Sequence, residues 1–335
     1  MVITVVGGGF VGIVSAICLC EFGFRVWVCD EDSDRLDQLK KNVSPSDEPG
    51  IGQALTKHSA SGQLTFSRDI HDLARESDVV VVAVSTLKAN NDADMSDLHS
   101  VMRKITISLS NTHHTAVVIK TNIPIGAGSI IANNARFLRT DIKLGEHYDI
   151  ITNPGILREG SAIQDFMEPD VVLVGTSGDS DSAKNSMMKL YAPIAASAVP
   201  FVVASYETVE IIRSGAIGFS AVVMAYANEI ADVCSRCGAD LNIAIKGIVS
   251  NSGGRLKGFE VSPGFGGTSY PRTVRGLSDS AKSLGANMSI IDAAIESNKL
   301  RIASIKPRIM KLLGNADVET PSAETRKKVA ILGLS

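Results

Sequence analysis

A chain of 335 residues is long enough for about two domains with a well-buried core. Its 44% hydrophobic and 21% charged residues sit near the averages of folded proteins, which excludes a disordered chain, a collagen-like repeat and a disulfide-built scaffold. Thirty-three Lys plus Arg against 36 Asp plus Glu leave a net charge of −3 and no cationic field for a polyanion, so no nucleic-acid partner is expected.

In chain order, the opening MVITVVGGG runs an apolar strand straight into glycines, with no basic leader or small-residue cleavage site, and a cytoplasmic protein is expected. The β-branched runs Val2 to Val6, Arg25 to Cys29, Val79 to Val84, Val117 to Lys120 and Val171 to Val174 predict strands. They are apolar throughout, as in a sheet covered on both faces. Helical spacing of apolar residues falls between them at 11–22, 33–41, 97–109, 127–138 and 182–191. This alternation predicts an α/β fold, a Rossmann-like doubly wound parallel sheet, over residues 1–203. From Thr208 the pattern changes, and Glu210 to Cys237 predicts one long central helix. With further helices at 240–250 and 273–285, residues 204–314 read as an all-helical domain. The polar stretch 315–328 reads as a linker, and KKVAILGLS as a strand that needs neighbours to pair with, so 315–335 form a third segment. No apolar run reaches the roughly 18 residues that span a bilayer, and no membrane partner is expected. The five cysteines, Cys18, Cys20, Cys29, Cys234 and Cys237, are odd in number and clustered, which fits a reducing compartment better than disulfides. Cys234-x-x-Cys237 lies inside a predicted helix without a second ligand pair, so it reads as packing, and no metal is expected.

Gly7, Gly9 and Gly12 form G-x-G-x-x-G directly after a strand and before a helix, and Asp30 closes the next strand. The first glycine permits the tight turn, the second lets a pyrophosphate approach the backbone, and the third lets helix and strand pack closely. The helix N-terminus then faces the phosphates. Asp30 can accept both ribose hydroxyls and repels a 2′-phosphate, so NAD is expected, with Arg35 keeping NADP open as the alternative.

These residues resemble the opening of the UDP-glucose/GDP-mannose dehydrogenases. The likeness continues through Glu48-Pro49-Gly50, the run Lys120 to Gly126, the run Asn153 to Ala162, Tyr191-Ala192-Pro193, Asn228-Glu229-Ile230 and Gly264 to Gly267, and so covers essentially the whole chain. The resemblance implies a cofactor set of Gly7, Gly9, Phe10, Val11, Gly12, Asp30, Arg35, Val84, Ser85, Thr86, Thr121 and Glu159. It also implies a homodimer built on the helix 208–237, and a third domain beginning at KVAILGLS. Were that domain naturally absent, a nucleotide diphosphate would lose most of its seat, and a free sugar or nucleoside would become the expected substrate.

The family oxidises a sugar C6 alcohol to a carboxylate in two NAD-dependent steps, through a thiohemiacetal on a cysteine. Here the G-G-S-C-F-P-K-D motif reads Gly266-Gly267-Thr268-Ser269-Tyr270-Pro271-Arg272-Thr273, so Ser269 stands at the nucleophile position. The lysine and asparagine that stabilise the family's oxyanion correspond to Arg213 and Ile217, its threonine after K-S to Asn122, and the first glutamate of N-P-E-F-L-R-E-G to Gly155. Only the second glutamate survives, as Glu159.

The cofactor fingerprint is thus kept while the groups for the second oxidation and for hydrolysis are gone. A single transient oxidation of a hydroxyl on a sugar, nucleoside or sugar nucleotide remains, and it needs a base and a hydrogen-bond donor. A redox-neutral cycle, dehydration or epimerisation with NAD regenerated in place, is the preferred expectation. A net NAD-reducing dehydrogenase and an NAD-binding non-catalytic protein are the alternatives. Glu159 is the first candidate base, or else a helix-start carboxylate satisfying backbone N–H groups. Lys120 and Asn122, at the carboxyl edge of the sheet, either hold substrate or shape their turn. Arg213 either holds substrate oxygens or is solvated on its helix, and Ser269 lines the pocket.

Overall fold

The computed structural model describes residues 1–86, 94–178, 180–195, 199–253, 258–267, 269–313 and 329–330. The sheet half of the chain begins β1 (Val2–Val6), α1 (Phe10–Glu21), β2 (Arg25–Cys29), α2 (Ser33–Lys40), α3 (Ile51–Ala60), β3 (Leu64–Ser67), α4 (Ile70–Glu76) and β4 (Val79–Val82). It continues with α5 (Ser96–Ser108), β5 (Thr115–Ile119), α6 (Ala127–Leu138), β6 (Tyr148–Thr152), α7 (Ala162–Met167), β7 (Val172–Thr176), α8 (Asp181–Leu190), α9 (Ala192–Ala195) and β8 (Phe201–Ser205). Four helices follow: α10 (Tyr206–Cys237), α11 (Leu241–Asn251), α12 (Tyr270–Ser283) and α13 (Ser289–Leu312).

The eight strands form one sheet in the order β3-β2-β1-β4-β5-β6-β7-β8. From β3 to β6 every pairing is parallel, with Val5 beside Val28 and Val81, and Val81 beside Val118. The central runs are buried on both faces, VVVV of β4 and TAVVI of β5 without an exposed residue, so each strand feeds two apolar layers. One layer packs α1 through Ile13, Val14 and Ile17 against Val5 and Val81. The other packs α5 through Leu98, Met102 and Ile105 against Val80 and Val117.

The expectation of a wholly parallel sheet needs one correction. β7 runs antiparallel to β6, Thr152 facing Gly175, and β8 follows β7 in parallel. Among the described residues three strands, β3, β6 and β8, and five helices, α3, α4, α7, α9 and α13, were not expected from the sequence. β6 hides its character because Asp149 sits within it, buried and satisfied by His114, Ser180 and Ser182. α13 continues past Pro307, a residue that usually ends a helix. The expected linker and strand of 315–335 lie outside the described residues apart from 329 and 330.

Compactness divides the chain at Arg213, into Met1–Arg213 and Ser214–Ser335. The first turns of α10 belong with the sheet: Tyr206 donates its hydroxyl to the Ile150 carbonyl at 2.7 Å, and Glu210 accepts the N–H groups of Gly126 and Gly128 at 2.6 and 2.8 Å. In the second unit Val223 and Ala227 of α10 pack on Phe259, with Ile245 and Ile248 of α11 beside them. By length and composition α10 is apolar enough to cross a membrane, as a core helix can also be, with a mean hydropathy of 1.4 over its most apolar window. That value gathers over residues broken in sequence by Gly215 and Gly218, which is why no uninterrupted apolar run announces it. All five cysteines are free thiols, and burial pushes Cys18, Cys20 and Cys29 up to about 12.

Candidate functional site: a dinucleotide cradle and the polar edge beside it

The glycines after β1 are required by their surroundings. Gly7 adopts φ +106°, and a Cβ there would meet the Ala83 carbonyl oxygen at 2.7 Å. A Cβ on Gly12 would fall 1.8 Å from the Gly7 oxygen, so only glycine lets α1 leave the strand so abruptly. At Gly9 a Cβ would meet nothing within 4 Å, which is the open side from which a pyrophosphate can approach. Gly9 is the N-cap of α1 and brings no side chain to it, leaving the first N–H groups, those of Phe10, Val11 and Gly12, to a ligand.

Asp30 ends β2 with its carboxylate facing this turn, accepting from Gly8 N at 2.6 Å, Asp32 N at 2.9 Å and Arg35 Nη1 at 2.9 Å. The turn and the acidic residue therefore form one hydrogen-bonded unit. Arg35 is paired with Asp30 and reaches Asp32, so its charge is already answered by two carboxylates and the pair as a whole stays acidic. This cradle fits NAD: a glycine turn open on one face, an uncapped helix start and a carboxylate for the ribose.

The carboxyl edge of β4, β5 and β6 continues the site. Thr121 donates its hydroxyl to the Val84 carbonyl at 2.9 Å, and Thr86, buried, donates to the Asn122 carbonyl at 3.4 Å. These bonds hold the Val84-Ser85-Thr86 loop against the β5 turn. Ser85 is exposed at this edge.

Behind that edge three segments of the chain meet in a polar knot. Lys120 Nζ donates to Asn153 Oδ1 and to the Tyr191 hydroxyl, both at 3.0 Å, and Tyr191 donates to Asn153 Oδ1 at 2.8 Å. Asn153 Nδ2 donates to the Leu173 carbonyl at 2.6 Å. The ammonium also lies 5.0 Å from the Phe166 ring centre. Lys120 is thus drawn inward, two of its three N–H donors being spent within the fold. Glu48 ties another distant pair, accepting the N–H groups of Gly160 and Ala162 at 2.5 and 2.8 Å at the start of α7. Sequence reasoning missed Asn153, Tyr191 and Glu48 as site-building residues, although each sits in a motif that carried the resemblance.

The remaining candidates have side-chain atoms without a partner among the described residues. Glu159 is exposed and makes no hydrogen bond among the described residues, and Glu48 performs the helix-start role that was its alternative. Asn122 Oδ1 is buried without a donor, and Arg213 has Nε and Nη1 buried without an acceptor, among the described residues. Burial pulls the Arg213 guanidinium down to about 10.

In the second unit Asn298 accepts Phe265 N at 2.8 Å and donates to Phe265 O at 2.9 Å, and Asn228 accepts Ser262 N at 2.9 Å. These pins shape the Gly264 to Gly267 loop, where Gly264 at φ +121° has no room for a Cβ beside Asn298. Ser269 follows at the start of α12, exposed, and its hydroxyl has no hydrogen-bonded base among the described residues.

A glycine turn, an uncapped helix and a strand-end carboxylate on a sheet of this order define a dinucleotide-dependent dehydrogenase fold. The comparisons with known proteins make the assignment narrower. Residues 1–195 match the NAD binding domain of the UDP-glucose/GDP-mannose dehydrogenase family, and residues 207–300 match its central domain. A UDP-glucose 6-dehydrogenase of Rhizobium meliloti is 31% identical over 100% of this chain and 74% of its own. One from Bacillus subtilis is 30% identical over 99% of this chain and 68% of its own. The solved UDP-glucose dehydrogenase of Pyrobaculum islandicum superposes with a TM-score of 0.83 at 25% identity, covering 93% of this chain and 71% of that one. The chain belongs to the UDP-glucose/GDP-mannose dehydrogenase family, and its cofactor is NAD. These relatives are dehydrogenases by name, so the expectation of a redox-neutral dehydratase or epimerase draws no support from them.

Proposed function

We propose that the chain oxidises one hydroxyl of a sugar nucleotide to a carbonyl in a single two-electron step, with net formation of NADH. The observation that carries this reading is the contrast between a complete cofactor cradle and a nucleophile position, Ser269, that has no thiol and, among the described residues, no hydrogen-bonded base. The second oxidation of the family's four-electron scheme needs that thiol.

When bound, NAD supplies the hydride acceptor, held by the Gly7 to Gly12 turn and Asp30. Glu159 takes the hydroxyl proton, since its carboxylate is exposed and unengaged. Asn122 Oδ1 accepts from a substrate hydroxyl and so satisfies its own buried oxygen. Lys120 positions the Asn153 to Gly155 turn from behind. Per turnover a carbinol C–H and O–H are lost as a hydride and a proton, leaving a ketone or aldehyde, NADH and H⁺.

The test is to incubate the purified protein with NAD and a panel of UDP- and GDP-sugars, following NADH absorbance and product mass. One NADH per product lighter by two hydrogens is the expected result. Two NADH with a carboxylate product sinks the reading in favour of four-electron oxidation, and loss of water without NADH sinks it in favour of the redox-neutral cycle.

The chain works as a homodimer through helix 208–237 in this reading. Ile212, Phe219, Tyr226 and Val233 recur on α10 at heptad spacing and are all exposed, a stripe of large apolar side chains that a second copy would cover. Sedimentation of Phe219→Glu against the parent chain checks it, a monomer being expected for the variant.

A further inference from the structure

The sheet unit treats its recessed guanidinium groups unequally. Arg139 is 17% exposed and donates to Asp141 at 2.7 Å and to the carbonyls of Ile107 and Leu109 at 2.9 and 3.0 Å. Arg213 has no such set, and its buried Nε and Nη1 face no acceptor among the described residues. An arginine cannot shed its proton to relieve this, so the desolvation cost stays with the folded chain until an anion arrives.

The place of Arg213 is also defined. One turn earlier on α10, the Glu210 carboxylate is fastened to the N–H groups of Gly126 and Gly128. That anchor ties the helix to the loop leaving β5, the same loop that carries Asn122 with its undonated Oδ1. Among the described residues Arg213 lacks an oxyanion acceptor and Asn122 Oδ1 lacks a donor.

We propose that Arg213 is the specificity-determining residue for a carboxylate on the sugar, so that the substrate is a sugar nucleotide whose sugar is already an acid. This rests on the sugar-nucleotide reading above and narrows its substrate class. A diphosphate is the other source of an oxyanion, but it calls for several cations, and Arg213 is a single one. A sugar acid presents a carboxylate and a hydroxyl donor on adjacent carbons. Its terminal carbon has no further oxidation to undergo, so it calls for no thiol nucleophile and leaves the ring hydroxyls for the hydride step.

The experiment is a calorimetric titration of the full chain, with NAD present, by UDP-glucuronate, UDP-glucose and UDP. The parent should bind UDP-glucuronate at least about tenfold more tightly than UDP-glucose, as for one charge-assisted pair, and Arg213→Gln should bring that ratio close to one. Arg213→Lys should keep part of the preference. NAD affinity of Arg213→Gln should match the parent, and its Tm without sugar nucleotide should rise, because the variant no longer buries an unanswered charge. Equal affinity of the parent for the two sugars overturns the proposal. So does a loss in Arg213→Gln that is uniform across all three ligands, which assigns the guanidinium to the diphosphate, and so does a fall in Tm, which assigns it a structural partner. NADH from UDP-glucose with no preference for the acid discards this inference and leaves the proposed function standing. Acid preference without NADH from any sugar nucleotide does the reverse.

Discussion

Two groups of polar residues interleave along the sequence and behave in opposite ways. Lys120, Asn153 and Tyr191 are buried and answer one another almost completely. Asn122, Glu159 and Arg213 have side-chain atoms that nothing described in the protein answers. The first group supports the sheet edge, and the second is the one the proposed function assigns to a ligand. What separates them is neither residue type nor sequence position but whether the fold supplies the complementary atom.

The sharpest way to break this contrast is at the cofactor turn, which holds both kinds of glycine. Gly12→Ala should be lost as a folded cradle, at a cost of about 5 kcal/mol and with NAD binding abolished, because its Cβ overlaps the Gly7 oxygen. Gly9→Ala should fold like the parent and lose only NAD affinity. Thermal unfolding paired with NAD titration distinguishes the two. In the polar knot, Asn153→Leu removes the acceptor of Lys120 and Tyr191 and orphans the Leu173 carbonyl. A loss of about 4 kcal/mol in urea unfolding is expected for so buried a network.

The third effect is one of pH. Burial raises Glu210 from 4.5 to about 7 against the two backbone N–H bonds that lower it. The native state therefore holds a proton that the unfolded chain has already released, and stability falls as pH rises from 4.5 to 7. The drop should reach up to about 3 kcal/mol and flatten in Glu210→Gln, as read from unfolding midpoints across that range. Smallest in stability is Glu159→Gln. Its unfolding should stay within about 0.5 kcal/mol of the parent, while turnover falls about 100-fold if the carboxylate is the base. A Glu159→Gln variant that unfolds early would move this residue into the structural group.

The parts of the molecule governed by local chemistry were legible in the sequence. The strands β1 and β2, the cofactor turn and Asp30 follow from neighbouring residues, and the fourfold valine of β4 follows from its composition. The parts that depend on remote partners were not. Asp149 reads as a strand breaker until His114 and Ser182 are brought to it, from 35 and 33 residues away. Lys120 reads as a residue that holds substrate or shapes its turn, and its inward bond to Tyr191, 71 residues on, could not be read from its neighbours. Glu48 serves a helix 114 residues downstream and Glu210 one 82 residues upstream, and no local pattern announces either. Arg213 and Asn122 were legible as candidates, but their lack of a partner could be seen only once every neighbour was in place.

The reversal of β7 has a consequence in topology. In a wholly parallel sheet each strand delivers the chain to the cofactor side, and the helix after it must travel away. Because β7 and β8 point the other way, α10 leaves the far end of its strand and climbs, passing Ile150 at Tyr206 before reaching Gly126 at Glu210. A change of sign in one strand thus brings the third turn of a helix to the ligand side, where otherwise only loops and helix starts arrive. It places the backbone of Arg213 on a helix, whose position does not drift as a loop's does.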